Sequence, residues 1–181
     1  MSIGVRIRRA LRPGDLEAIV AHHDRVYRGE YGVDSRFVDQ VAATVARAAL
    51  AGFPGEREAI RIVEHNGGHA GSIALTGEND DVAALRWVVL DRELRGHGIG
   101  RQLLDDVLAV ARQSDYALVF LDTFSELEAA GRMYRERGFR VVSEDAGPRW
   151  GRDHIVYQHY ELELRSAAPR GRIPEAVQLQ R

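Results

Sequence analysis

The sequence has no cysteine among its 181 residues. That excludes disulfide staples, thiolate zinc sites and cysteine nucleophiles, and it fits a reducing compartment. No apolar run approaches the roughly 20 residues that cross a bilayer. The opening MSIGVRIRRA lacks the apolar centre of a secretory leader. The expectation is a cytoplasmic protein with no membrane partner. Positive charge is not in excess either: 25 Lys and Arg stand against 27 Asp and Glu. A nucleic-acid partner would call for a basic excess, or for a basic stripe interleaved with aromatics, and neither is present. The seven histidines have no metal-ligand spacing. His22 and His23 are adjacent on a helix and point apart, His65 and His69 straddle a turn, and no HExxH occurs, so no metal is expected.

What is present is ordinary for a soluble domain: 45% apolar and 29% charged residues, enough chain for one sizeable core. Residues 1–165 read as that domain. The stretch 166–181, RSAAPRGRIPEAVQLQR from Arg165 onward, is rich in Arg and Pro and reads as a mobile tail, with a short docking helix at PEAVQLQR as the alternative. The oligomeric state is open, a homodimer included.

The periodicities alternate between strand and helix. Val5–Leu11 alternates as a strand, and Asp15 is placed to cap a helix striped by Leu16, Ile19, Val20, His23, Val26 and Tyr27. GEYGVDS is expected to break that helix, and Ser35 to cap the next, striped by Val38, Val41, Val45 and Ala49. EAIRIVEH and HAGSIALTG flank NGG, a hairpin signal. VAALRWVVL is an apolar strand, YALVFLDT another. SELEAAGRMYRERG is a helix with a Ser125/Glu128 capping box and a Gly138 terminator. FRVVSED and HIVYQHYELEL close the order β-α-α-β-β-β-α-β-α-β-β.

The stretch LRWVVLDRELRGHGIGRQLLDDVL carries the chemistry. Three glycines, Gly96, Gly98 and Gly100, lie between a strand and a helix, with Arg95 before them and Arg101 after. The dinucleotide fingerprint fails, because Arg101 stands where its third glycine belongs, and the P-loop fails, because Arg101-Gln102 stands where Lys-Ser/Thr belongs. The first amides of a helix lack internal partners and carry partial positive charge, and glycines let an anion approach them. A phosphate or pyrophosphate site built from backbone is the chemistry that remains, with an irregular turn as the bland alternative.

RGHGIG resembles the Q/R-x-x-G-x-G/A signature of the GNAT superfamily of N-acetyltransferases, with Arg95, Gly98 and Gly100 on its positions. A second signature, a strand, a helix with A-x-x-x-Y and then G-F, is matched by LDTFSELEAAGRMYRERGF through Ala130, Tyr134, Gly138 and Phe139. The likeness covers about residues 3 to 164. It implies the GNAT fold, an α/β (α+β) class with a mixed central sheet of about seven strands flanked by about four helices. It implies acetyl-CoA as co-substrate, its pyrophosphate on Arg95, Gly96, His97, Gly98, Ile99, Gly100 and Arg101 and its pantetheine arm on Val88, Val89 and Leu90. The acceptor is then a primary amine, on a small molecule or a peptide, attacking the thioester directly. Oxyanion charge would meet a backbone N–H near Val88 or Val89. Tyr134 would face the sulfur as acid or hydrogen-bond donor, although on pattern alone it reads as core. A narrower likeness, in HDRVYRGEYGVDSRF, LRWVVLDRELRGHGIG and WGRDHIVYQHYELEL, is to the acetyltransferase half of bacterial MarR–GNAT fusions. The winged helix of those proteins is absent from this sequence, so DNA binding does not carry over.

Leu127 stands where many members of the family have a cofactor-touching Asn, with Ser125 or Glu126 as substitutes. The acceptor side is assigned to Glu30, Tyr31 and Trp87. Either Trp87 or its neighbour Arg86 must face that side if the strand is regular. Glu30, Glu78 and Asp81 are the candidates for general base. The rival reading is a non-catalytic coenzyme A or acyl-CoA sensor on the same fold.

Overall fold

A computed structural model describes residues 4–165; the expected tail at 166–181 lies outside the described residues. Strands β1 (Val5–Arg8), β2 (Ala59–His65), β3 (Gly68–Gly77), β4 (Val82–Leu90), β5 (Leu118–Phe124), β6 (Arg140–Arg149) and β7 (Arg152–Glu163) form one sheet. Its spatial order is β1-β2-β3-β4-β5-β7-β6. Every pairing is antiparallel except β4 with β5. The helices are α1 (Asp15–His23), α2 (Gly29–Tyr31), α3 (Ser35–Leu50), α4 (Ile99–Gln113) and α5 (Glu128–Glu136). A π-helical segment, Asp24–Arg28, joins α1 to α2, so four helical bodies flank seven strands, in the order the sequence predicts.

Period-two alternation splits the core. Ala59 and Val63 of β2 face one layer with Leu104, Val107 and Leu108 of α4 and Tyr134 of α5. Ile60 and Ile62 face the other, with Ile19 of α1 and Val45 of α3. Each large side chain so buried is worth about 2 kcal/mol, and α4 alone buries Leu103, Leu104, Val107 and Leu108. The NGG turn is as expected: Asn66 and Gly67 have φ of 52° and 78°, the left-handed pair that matches the twist of a hairpin.

The helix ends differ from expectation in three places. Asp15 is the first residue of α1 and not its cap, a position held by Gly14. Its carboxylate instead accepts from the Arg12 amide at 2.6 Å and pairs with the buried Arg8 guanidinium at 2.7 Å. GEYGVDS ends the first helical run as expected, with Tyr31 its last residue and Gly32 its left-handed cap. Asp34 caps α3 in place of Ser35, accepting from the Arg36 amide at 3.0 Å. Ser125 cannot cap α5, because its own amide is still bonded to Val156 of β7 at 2.9 Å; the helix starts later, after Leu127.

Candidate active site

The site follows from two irregularities in β4. The first is a β-bulge. Ser72 pairs with Val89 and Ala74 with Arg86, so Trp87 and Val88 together oppose one residue of β3. Trp87 takes φ 52°, and its carbonyl accepts from the Ser72 hydroxyl at 2.6 Å. A bulge breaks the alternation of side chains. The expectation that one of Arg86 and Trp87 faces the acceptor side assumed a regular strand; at the bulge both line the cleft between β4 and β5. Trp87 donates its indole N–H to Thr44 of α3 at 2.9 Å and meets Phe53 edge-on. Arg86 donates to Glu78 at 2.8 Å.

The second irregularity is a fork. β4 and β5 pair only over Val82–Ala84 and Leu118–Phe120, and β5 then follows β7 as far as Phe124. Past Ala84 the β5-facing edge of β4, Val88 included, is left without a strand partner. Val88 and Tyr134 line the cleft in the fork. Its volume is about 160 Å³, close to the roughly 150 Å³ that houses one benzene ring. Tyr27, Phe37, Phe124, Trp150 and Tyr157 contribute to its walls, and among the described residues Arg86 and Asp122 are the charged side chains that line it. His23 is buried, which holds its imidazole neutral with a pKa down at about 4; its Nδ1 bonds the Ile19 carbonyl at 2.8 Å.

After β4 the glycine loop turns into α4. Gly96 and Gly98 have φ of 79° and 81°, and a side chain at either would meet open space. Conformation, not crowding, therefore requires them. Gly98 is the N-cap and offers no side-chain cap, so the first amides of α4 remain available to an anion. Gly100 has an ordinary φ; a β-carbon there would lie 3.4 Å from Met133. Ile99 packs on the core. His97 is exposed and bonds back to the Arg95 carbonyl at 2.9 Å.

The two loop arginines are already engaged. Arg95 donates Nε to the Leu90 carbonyl at 2.9 Å and forks the Glu30 carboxylate. Arg101 bonds Glu136 of α5 at 3.2 Å. The charge left over in the loop is that of the helix N-terminus.

The candidate bases are engaged as well. Glu30 holds Arg95, the buried Glu78 holds Arg86 and Arg47, and Asp81 holds Arg165. Glu126, offered in place of the missing Asn, holds Arg152 at 2.6 Å. Leu127 lines the cleft as an apolar group. Tyr31 does not line it, but packs against Tyr27 and Phe124.

The carboxylate that sequence reasoning passed over is Asp122 on β5. It stands opposite His159 of β7 in register and accepts from His159 Nδ1 at 2.8 Å. Its signal was the alternation within LVFLDTF, which places Phe120, Asp122 and Phe124 on one face. Tyr134 is 4% exposed, and burial pushes its hydroxyl far above the usual tyrosine range. It meets Phe139 and Tyr160 edge-on, so it is core packing and cleft wall together. Among the described residues no group of three His, Asp or Glu side chains could hold a metal, and no helix is long and apolar enough to cross a membrane.

Known proteins share this architecture. An acetyltransferase from Streptococcus agalactiae superposes with a TM-score of 0.70 at 22% identity, over 89% of this chain and 99% of that one. A protein of Salmonella typhimurium solved with its cofactor acetyl-CoA does so with 0.66 at 21% identity, over 93% and 98%. A ribosomal-protein-alanine N-acetyltransferase from Brucella melitensis gives 0.63 at 19%, over 88% and 99%. At such identities the likeness is one of fold. In sequence, the N-acetylaspartate synthetase of Danio rerio is 33% identical over 101 residues, 50% of this chain but only 36% of that protein. The sequence model of the acetyltransferase (GNAT) family matches residues 19–139. That match takes in both arms of the fork, β4 with its glycine loop and β5 with α5, and the chain belongs to the acetyltransferase (GNAT) family.

Proposed function

We propose that the protein transfers the acetyl group of acetyl-CoA to a primary amine by direct attack within a ternary complex. The observation that carries this reading is the fork itself: past Ala84 β4 parts from β5 beside a cleft lined by a tyrosine and a carboxylate, and the same strand leads through the glycine loop to an uncapped helix start. The edge at Val88, Val89 and Leu90 suits the amides of a pantetheine arm. The amides of Gly96 to Arg101 suit a pyrophosphate.

In this reading Asp122 is the base. The acceptor arrives as an ammonium ion and gives one proton to Asp122. The freed lone pair forms the N–C bond at the thioester carbonyl carbon, and the C–S bond breaks with its electron pair on sulfur. Of the two protons left on nitrogen, one passes to sulfur and one stays on the amide, while Asp122 returns its proton to water. Oxyanion charge falls beside the bulge at Val88 and Val89. Tyr134 steadies the sulfur. A free thiol ionises near 8.5 and tyrosine near 10, and burial raises Tyr134 further, so it serves as a hydrogen-bond donor and keeps its proton.

The cleft also favours an acceptor class. One ring-sized, mostly apolar space with a single carboxylate suits a compact monoamine better than a polycation, which would call for several acidic partners. The narrower likeness to the acetyltransferase half of MarR–GNAT fusions adds no activity to this reading.

The test is a screen of primary amines against acetyl-CoA with free thiol as readout. Amine-dependent thiol release supports transfer. Tight acetyl-CoA binding with no turnover on any amine would support the sensor instead.

A further inference from the structure

We infer that His159 is a positioning residue for the acceptor's proton: its ring fixes the Asp122 carboxylate so that one oxygen is held and the other is left for the incoming ammonium. The inference rests on the acetyl-transfer reading and adds to it the group that readies the base.

Asp122 and His159 are direct register partners on adjacent strands, so their side chains share a face. His159 is 5% exposed. Its Nδ1 lies 2.8 Å from Asp122 Oδ1, and the ring sits 5.3 Å from the Phe120 ring. Phe120 is buried, so the imidazole packs against a core ring on the side away from solvent. Asp122 Oδ2 has no partner among the described residues, and Asp122 lines the cleft.

The other nitrogen argues against a purely structural role. Among the described residues His159 Nε2 is buried with no hydrogen-bond partner, 3.5 Å from Glu161 Oε1. An unpaired buried polar atom is destabilising, and a leucine or phenylalanine filling the same space would avoid that. The charged groups that face the ring are Asp122 from β5, Glu161 on its own strand, and Arg86 of β4, whose guanidinium lies 5.9 Å from the Phe120 ring. From β6, Ser143 stands opposite His159 and Arg140 opposite Glu161. The Nδ1–H bond is charge-assisted, which makes it stronger and more directional than a neutral one.

The test compares the full-length wild type with His159→Leu, His159→Asn and Asp122→Asn. Thiol release is measured on the best amine from the screen, from about pH 6.5 to about pH 10, where a primary ammonium gives up its own proton. Acetyl-CoA affinity is followed by calorimetry. His159→Leu removes the donor, and kcat/KM near neutral pH should fall about ten- to a hundredfold, within the range for one positioned proton-transfer group. The gap should close to within about threefold at the alkaline end, because there the amine arrives neutral. His159→Asn restores an N–H near the Nδ1 position and should stay within about fivefold of wild type throughout. Asp122→Asn should repeat the leucine profile with acetyl-CoA affinity unchanged, and it decides the matter with His159→Asn if the leucine variant does not fold. A wild-type rate in His159→Leu, a deficit equal at every pH, or an asparagine variant as poor as the leucine one overturns the inference alone. A wild type that binds acetyl-CoA and turns over no amine overturns the transfer reading, and this inference with it.

Discussion

In the proposed transfer the loop at residues 95–101 and the pocket around Asp122 would act by opposite means. The loop works with backbone: two left-handed glycines and the open start of α4, while its arginines are spent on Glu30 and Glu136. The pocket works with side chains brought from far apart. Trp150, at the β6–β7 turn, gives its indole N–H to Gln40 of α3 at 3.0 Å. Its carbonyl accepts the Asp34 amide at 2.9 Å, and Arg152 reaches the Tyr31 carbonyl at 3.2 Å. A backbone site tolerates change around it as long as its φ angles survive. A side-chain site depends on every segment that supplies a wall. The difference teaches where each half should fail.

The largest expected effect is at Tyr134, where the two halves meet. Tyr134→Phe keeps the ring contacts with Phe139 and Tyr160 and removes only the hydroxyl. A fall in kcat of about ten- to a thousandfold is expected, with acetyl-CoA affinity nearly unchanged. Steady-state rates beside calorimetry check it, and a wild-type rate would make the tyrosine packing alone.

Acid should loosen the side-chain half next. His23, in the cleft wall, and His69, at the edge of the α1 layer, both have pKa values lowered to about 4 by burial, against about 6.5 in the unfolded chain. Between these values the unfolded chain binds more protons, so this part of the stability is full above about pH 6.5 and is lost as pH falls toward 4. For the fully buried His23 the loss is on the order of 3 kcal/mol. Urea midpoints at neutral and acid pH should separate accordingly, and His23→Gln should narrow the separation. Midpoints that do not move with pH would show that neither imidazole stays neutral in the fold.

The backbone half is probed by Gly98→Val. Space is open at that position, so the penalty comes from holding a branched residue at φ 81°, a region that L-residues resist by about 1–2 kcal/mol. Acetyl-CoA affinity should fall more than about tenfold, equivalent to about 1.4 kcal/mol. Unchanged binding to the folded variant would move the pyrophosphate elsewhere.

The smallest effect is expected at Glu30→Gln. The Glu30–Arg95 pair is about one-third exposed on each side, and such pairs are worth about 0–1 kcal/mol. Acetyl-CoA affinity should change by less than about fivefold. A tenfold loss would show that Glu30 holds the loop in shape, and that the two halves are less separate than the geometry makes them.

The sequence alone determined the element order, the hairpin at Asn66-Gly67 and the loop glycines. Each depends on a local requirement: a hydrophobic period, a positive φ, an uncovered helix start. The linked motifs around Gly98 and Tyr134 carried the family for the same reason, since each lies within one short run of the chain. Tertiary structure decided what local pattern cannot encode. The bulge that brings both Arg86 and Trp87 to the cleft exists because β3 pairs out of step with β4. Asp34, its own amide bonded to the Trp150 carbonyl, displaced Ser35 as the cap, and Ser125 was kept in the sheet by the Val156 carbonyl. Glu30, Glu78 and Asp81 looked equally available until the arginines that hold them came into contact. Asp122 became the cleft's carboxylate only where β4 and β5 part and β7 sets His159 beside it. Partners 37 residues apart in sequence leave no spacing signature, because their distance is fixed by strand pairing and not by the chain between them.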